Sequence, residues 1–397
     1  MRFFKVAIIG GGASGLTSAV AFKKAGFDDF VVLERLDRVG KKFISTGNGQ
    51  GNLTNVNISK NFYDSSVKGF FTAAIESYGY KEIESFYNFL GITLTTDSDG
   101  KVYPLSKQAS SVLDVIRAYL AYKNTDIITD FFVTDIKKED DAFIITSAKG
   151  DIIKAQTVLL CTGGSAQKQF DTDGNGYNLA KQFGHKITPV YPSLVQLKTD
   201  SPLIKGLRGL KADATVYAIG NGKVLKSAVG EVLFTDYGVS GNAIFKISGV
   251  LSKVNNPEVK ISFIPELSLD ELADKIEDRF INQPYLDVSD ALTGLVNKMI
   301  GKQIVKNAID CTSYQIAYLA KNFILPISGN LGFNYAQVTK GGVSVGDIDP
   351  VTMQSKLTSN LYVLGEVLDV DGDCGGYNLH WAFASAMSAV NDIINKG

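Results

Sequence analysis

The 397-residue sequence is poor in the residues that usually carry side-chain chemistry, with two histidines, three cysteines and one tryptophan. Cys161, Cys311 and Cys374 are odd in number and far apart. They form neither a disulfide framework nor a Cys-x-x-Cys pair, which predicts a reducing, cytoplasmic setting. His185 and His380 allow no Ser-His-Asp or Cys-His arrangement to be drawn, so the hard chemistry falls to a cofactor. Charge of one sign is also lacking: 40 basic residues face 41 acidic ones, for a net charge of −1. That balance gives no electrostatic footprint for DNA or RNA and no polybasic membrane anchor. No apolar run approaches the ~18 residues of a spanning helix. Arg2 does precede the apolar residues Val6–Ile9, but that run is too short for a signal peptide and breaks into three glycines with no later cleavage site. Low hydrophobicity, the mark of disorder, is absent too: 45% of the residues are hydrophobic, enough for packed cores.

What is present begins with Lys5-Val6-Ala7-Ile8-Ile9, a β-branched run of the kind buried on both faces of a parallel sheet. Gly10-Gly11-Gly12 ends it. Leu16, Ala19, Val20 and Phe22 then recur at helical spacing up to Lys24, with Gly26 placed as a C-terminal cap. Phe30–Leu33 reads as a second buried strand, completing a right-handed βαβ unit. Phe132–Ile136 and Ala142–Ser147 alternate around a charged turn as a hairpin. Two more apolar strands also run into glycine turns, Thr157–Cys161 before Thr162-Gly163-Gly164 and Leu361–Leu364 before Gly365-Glu366. A final helix is expected from Tyr377 to Ile394. These strands predict one α/β sheet assembled from distant parts of the chain.

Between residues 190 and 335 the texture changes. Short alternating strands, such as Ala214–Ile219 before Gly220-Asn221-Gly222, give way to charged helical sequence opening at Ser268-Leu269-Asp270-Glu271. The expected organisation is a Rossmann-like domain from residues 1–189 and 336–397, an inserted β-rich domain at 190–265 and a small helical domain at 266–335.

Gly10-x-Gly12-x-x-Gly15, with Ala13 and Ser14 inside it, is a dinucleotide fingerprint, because it follows a strand and opens a helix. The first glycine permits the turn, the second lets backbone approach a pyrophosphate, and the third lets helix pack on strand. Glu34, nineteen residues past Gly15, is placed to accept hydrogen bonds from an adenosine ribose. The fingerprint does not by itself separate FAD from NAD. Thr162, Gly163 and Gly164, together with Gly365 and Glu366, lean towards FAD, because such late turns return the chain to a flavin. The carboxylates from Asp369 to Asp373 lack the spacing and closing glutamate of an EF-hand, so no metal is expected. Gly375-Gly376 precede a helix whose N–H groups would stabilise negative charge at a flavin's pyrimidine end. His380 and Tyr377 lie in the first turn of that helix and are the catalytic candidates, whereas His185 and Cys374 read as structural.

Several segments resemble the BaiN/YhiN-like bacterial flavoproteins, described as NAD(P)/FAD-dependent oxidoreductases and including aminoacetone-oxidase-like members. They are Gly40-Lys41-Lys42, Ser45–Gly49, Asn52–Asn55, Gly184-His185, Phe234–Gly241, Gly341–Val343, Gly365–Gly372 and Gly375–Leu379. The resemblance implies a glutathione-reductase-type FAD domain with an inserted β-barrel-like domain and a small helical domain. It also implies that Gly12, Ser14, Gly15, Glu34, Arg35, Lys42, Gly47, Val133, Gly164, Glu366 and Asn378 lie along the flavin, Val133 through its backbone, with Asn52, Gly376 and Tyr377 in the same segments. Three places depart from the pattern. Gln50-Gly51 stand where the family has Arg-Cys, Asp236 where it has His, and Asn242 where it has Pro.

The expected function is an FAD-dependent oxidoreductase that passes hydride between a small or medium organic substrate and the flavin N5, with oxygen or NAD(P)H as the other partner. No second Gly-rich βαβ unit is present, so a nicotinamide would bind transiently. The substrate is expected over the flavin's open face, between the sheet and the inserted domain. Two alternatives are a tRNA-modifying flavoprotein, disfavoured by the neutral charge, and a flavin-binding protein without turnover. Nothing in the sequence indicates an oligomeric state.

Overall fold

The computed structural model describes residues 2–396. The chain forms two compact units, Met1–Val190 with Val338–Gly397, and Tyr191–Gln337.

The first unit is built on a mixed sheet. Strand β1 (Arg2–Ile9) pairs in parallel with β2 (Phe30–Leu33) on one side and with the Ile152–Leu160 strand on the other. The register sets Ile9 beside both Leu33 and Leu160, so all three strands end level at one rim. Leu361–Val363 pairs in parallel with Ile152–Leu160 at the same end, and Asp126–Ile128 extends the sheet beyond β2. The Val133–Glu139 and Ala142–Ser147 hairpin joins antiparallel to Ile152–Leu160, with Asp140 at positive φ in its turn. Strands that end in glycine therefore share one edge, where an open parallel sheet places its ligand.

Helix α1 (Ala13–Lys24) starts directly at the glycine turn. Lys23 and Lys24 in its last turn match the negative end of the dipole, and Gly26, at φ +77°, closes it. It packs against the C-terminal helix Tyr377–Lys396, where the fully buried Ala384, Ala386 and Ala389 permit close approach. Phe22 and Phe30 touch at 5.3 Å between ring centroids within the same core. Truncating such a fully buried ring to alanine costs about 3–5 kcal/mol.

The second unit carries a seven-stranded sheet in the order Phe323–Pro326, Glu258–Ser262, Lys211–Gly220, Lys223–Phe234, Gly238–Ser240, Leu197–Lys198, Gly329–Asn330, antiparallel throughout. Asn221 and Gly222, both at positive φ, make the two-residue turn that the right-handed strand twist favours. The helical segment expected to be separate shares this unit's core. Leu272, Ile276, Ile304 and Ile316 belong to one hydrophobic cluster with Val216 and Ile261. The reason is topological: Glu258–Ser262, before the helices, pairs with Phe323–Pro326, after them. Helix Leu269–Asn282 opens with a capping box in which the Ser268 hydroxyl accepts from Glu271 N and the Glu271 carboxylate accepts from Ser268 N. Among the described residues no helix is long and apolar enough to cross a membrane.

Candidate active site

The three fingerprint glycines are required for three different reasons. Gly10 lies at φ +104°, and a Cβ there would meet the Cys161 carbonyl oxygen at 2.5 Å. A Cβ on Gly15 would stand 1.9 Å from the Gly10 carbonyl oxygen, because helix and turn are in contact. Gly12 is in ordinary extended backbone, and a Cβ there would meet nothing within 4 Å. The protein leaves room in front of Gly12. No side chain caps α1 and no acidic residue sits in its first turn, so the amide groups of Ala13, Ser14 and Gly15 offer a positive helix end to that space.

Glu34 ends β2 as a buried carboxylate. It accepts from Gly11 N at 2.8 Å and from Leu36 N at 2.9 Å. Burial raises its pKa, against the two backbone donors that hold the charged form. Its neighbour Arg35 points elsewhere: the guanidinium forks onto Asp173 at 2.7 and 3.1 Å, donates to the Asp171 carbonyl and lies 4.0 Å over the Phe132 ring. Val133, implied to lie along the flavin through its backbone, accepts at its carbonyl from Asn175 Nδ2 at 2.8 Å.

Residues far apart in the chain meet at Glu366. Its carboxylate accepts from Lys42 Nζ at 2.7 and 3.1 Å and from Thr339 N at 3.0 Å. Gly164 lies against the same carboxylate and against Thr339, too close for a side chain. Thr339 Oγ1 in turn accepts from Ser165 N and Ala166 N at 2.7 and 3.0 Å, fixing the turn after Thr162-Gly163-Gly164. Thr339 has no motif of its own, and the sequence reading missed it. A Cβ on Gly365, at φ +73°, would approach Ser14 Oγ to 2.9 Å, so the late turn abuts the first one.

The third group surrounds the start of the C-terminal helix. Gly376, at φ +99°, sits where a Cβ would be 2.3 Å from the Thr54 carbonyl oxygen. The Asn52 amide faces both groups, and with its oxygen turned to Gly376 N and its nitrogen to Thr54 O it bridges them at 3.0 Å each. Gly47, in left-handed backbone, packs on Asn52. Asn378 clamps Gly372 from both sides, its Oδ1 accepting from Gly372 N at 2.9 Å and its Nδ2 donating to Gly372 O at 2.6 Å. Tyr377 is buried, stacked on Phe62 at 4.5 Å, and burial pushes its phenol up to about 12. His380 is fully buried with Nδ1 2.7 Å from Thr54 Oγ1, and burial pulls its pKa down to about 4, so it is neutral near pH 7. His185, bonded to Ser355 at 2.8 Å, is likewise buried, with its pKa lowered. Burial pushes the Cys161 thiol up to about 12, and Cys374 is half-buried. Gly51 is at φ +75° and a Cβ there would lie 3.0 Å from Ala109 Cα, so this turn fits glycine. Asp236 is in the second unit, in an exposed ion pair with Arg208 at 2.7 Å.

A glycine cradle open towards an uncapped helix end, a buried carboxylate at the end of β2 and a second carboxylate on a late turn together fit an FAD. This fold and this donor set define a Rossmann-type FAD-dependent oxidoreductase. The profile of the HI0933-like protein Rossmann domain matches residues 4–392, and the chain belongs to that family. It is 34% identical to a 3-dehydro-bile acid delta(4,6)-reductase of Clostridium scindens, over 97% of this chain and 98% of that protein. It is 25% identical to a ribosomal RNA dihydrouridine synthase of Escherichia coli, over 99% of each. A flavocytochrome c3 fumarate reductase has a similar fold, with a TM-score of 0.50 at 15% identity over 99% of this chain and 78% of that one.

Proposed function

We propose that this protein is an FAD-dependent reductase of a carbon–carbon double bond conjugated to a carbonyl, on a small organic substrate, with NAD(P)H as the electron source. The observation that carries this reading is that two relatives matched over nearly their whole length share that chemistry despite unlike substrates. A 3-dehydro bile acid with delta(4,6) unsaturation holds its double bonds next to a ketone, and dihydrouridine arises by saturating the uracil double bond beside a carbonyl. A double bond conjugated in this way is saturated by a hydride at the β-carbon, or at the vinylogous carbon of an extended dienone, and a proton at the neighbouring carbon nearer the carbonyl, with the two electrons coming from outside the substrate. The substrate is taken as small because the bile-acid enzyme is the more similar relative and the chain has no basic excess.

Bound FAD supplies the hydride transfer. The residues around it hold and polarise. The α1 amides at Gly12–Gly15 would take the pyrophosphate, and Glu34 the adenosine ribose. Glu366 would take the ribityl hydroxyls, with Lys42 fixing its orientation. The amide end of the Tyr377–Lys396 helix, set by Gly376 and Asn378, would face the charge that develops at the pyrimidine end. Tyr377 is buried against Phe62 and His380 is held through Nδ1 by Thr54, and in this reading they shape the helix start rather than donate protons.

The test is an anaerobic absorbance experiment on purified protein. Flavin bands near ~370 and ~450 nm are expected, then bleaching by NADH or NADPH, then recovery on adding a cyclic enone or a steroid 4-en-3-one. Saturated ketones and amines should not restore the bands. Reoxidation by a uridine-containing ribosomal RNA fragment, and by no enone, would replace the small substrate by RNA. Bleaching by an amine would overturn the reductase reading altogether.

A further inference from the structure

Outside the residues given to the cofactor, the first unit holds a charged cluster at Lys340 that its chemistry leaves unused. Lys340, closing the Val338–Lys340 strand, reaches Asp64 Oδ2 at 2.5 Å and Asp371 Oδ2 at 3.4 Å. The two aspartates face each other across a short antiparallel bridge, Tyr63–Asp64 with Asp371–Gly372. One ammonium therefore serves two carboxylates, and it does not serve them equally. Asp64 has the short bond and is 69% exposed, so water also solvates it. The Asp371 side chain is 13% exposed, and its Oδ1 is buried with no hydrogen-bond partner.

A buried carboxylate oxygen without a donor is costly as an anion and far less so as a neutral acid. The groups facing Asp371 are Lys340 from one strand, Asp64 from the opposite strand and Asp373 from its own loop. Burial pushes its carboxyl up to about 6; Lys340 opposes this, and Asp373 and Asp64 add to it. This cluster is fastened to the helix start described above. The residue after Asp371 is Gly372, held through both its N–H and its carbonyl by Asn378 in the first turn of the C-terminal helix. The Tyr63 hydroxyl beside Asp64 also donates to the Tyr377 carbonyl at 3.0 Å. Asp371 and that helix end are therefore joined by three hydrogen bonds within one local structure.

We propose that Asp371 is a redox-linked proton site, which takes up a proton from solvent when the bound flavin is reduced and releases it when the flavin is reoxidised. No bond other than O–H forms or breaks at Asp371, and no electron passes through it. Negative charge gained by the flavin at the helix end raises the proton affinity of the nearby carboxylate, as any like charge does. By reciprocity, the protonated acid makes reduction easier. Asp371 is a positioning and charge-balancing residue that does not touch substrate. The inference rests on the placement of FAD at this helix start.

The test is the flavin midpoint potential as a function of pH, by anaerobic equilibration of the FAD-loaded protein with reference dyes. Below about pH 6 Asp371 is protonated in both redox states and adds nothing. Between there and the higher value that reduction gives its carboxyl, reduction should draw up to one further proton, a tenfold effect per pH unit, or about 30 mV per pH unit for a two-electron couple, and above that window the added slope should vanish. Asp371→Asn should lose this added slope while still binding FAD. Lys340→Gln, which removes the opposing cation, should move its onset to higher pH. If Asp371→Asn does not fold, the direction of the Lys340→Gln shift decides alone. An unchanged slope in Asp371→Asn, or an onset that stays or falls in Lys340→Gln, overturns the proposal while leaving the flavin in place. Failure of the unmodified protein to take up FAD overturns the placement itself, and this inference with it.

Discussion

Gly15→Ala and Gly12→Ala are expected to fail in opposite ways, though both are single methyl additions in one turn. At Gly15 the new Cβ would stand 1.9 Å from the Gly10 carbonyl oxygen, far inside contact distance, and the obstacle is backbone rather than a movable side chain. Helix α1 must lift from the turn and from the Ile8 side chain beneath it, which a Cβ would meet at 3.3 Å. Overpacking in a closed core costs about 1–3 kcal/mol, and more where backbone is the obstacle, so a loss of at least ~3 kcal/mol is expected. Urea denaturation of the apoprotein should show it. At Gly12 the methyl enters open space in backbone that alanine adopts freely, so stability should change by less than ~0.5 kcal/mol. The same methyl would fill the space proposed above for the pyrophosphate. Losing one charge-assisted hydrogen bond there costs about 1.5–3 kcal/mol, or roughly 10–150-fold in FAD affinity. Quenching of FAD fluorescence on titration reads this directly. If Gly12→Ala bound FAD as tightly as the unmodified protein, the open space before α1 would not be the phosphate site.

The difference between those glycines marks how far sequence alone reaches. The β1–α1–β2 unit was legible because everything that defines it is local: a β-branched run, a glycine turn, helical periodicity and Gly26 at the helix end. The strands at Ile152–Leu160 and Leu361–Val363 were legible one by one as apolar runs into glycine. Their neighbours were not, because pairing joins residues 203 positions apart, as at Val158 and Leu361. For the same reason, the segments 190–265 and 266–335 read as separate domains. Their change of texture is real, but the pairing of Val259 with Leu325 closes one core over both.

At the site, motifs placed Lys42, Gly164 and Glu366 on paper, and the fold brings them together. Thr339 escaped notice, because a single threonine after a long insertion carries no pattern, although two backbone amides and one carboxylate depend on its position. Arg35 shows the opposite case. Its neighbourhood was legible, but its direction was decided by Asp173 and Phe132, which reach it only in three dimensions. The Lys340, Asp64 and Asp371 cluster was hidden likewise, since its members come from three separated segments.

Glu34 brings the local and the non-local readings into one experiment. Its carboxylate accepts from Gly11 N and Leu36 N, so it ties the glycine turn to the end of β2 before any cofactor arrives. Glu34→Ala leaves both buried donors unpaired and should cost roughly 2–4 kcal/mol of apoprotein stability. Glu34→Gln keeps one acceptor but turns an amide NH2 towards the other donor, so it should fall between alanine and the native residue. Burial raises the folded-state pKa of Glu34 above the ordinary glutamate value of 4.5. The stability linked to its protonation is therefore complete below about 4.5, and it is lost as pH rises through the raised value. Glutamine has no such proton, so the deficit of Glu34→Gln relative to the native protein should be largest in acid and shrink as pH rises. FAD affinity adds a separate reading, because a ribose hydroxyl donating to the carboxylate would be a further charge-assisted bond. Its loss should lower affinity by roughly 10–150-fold in Glu34→Gln, at a pH where that variant is fully folded. A variant destabilised as described, yet binding FAD unchanged, would mean that Glu34 serves the turn alone. The adenosine ribose would then have to be held by another group at the end of β2.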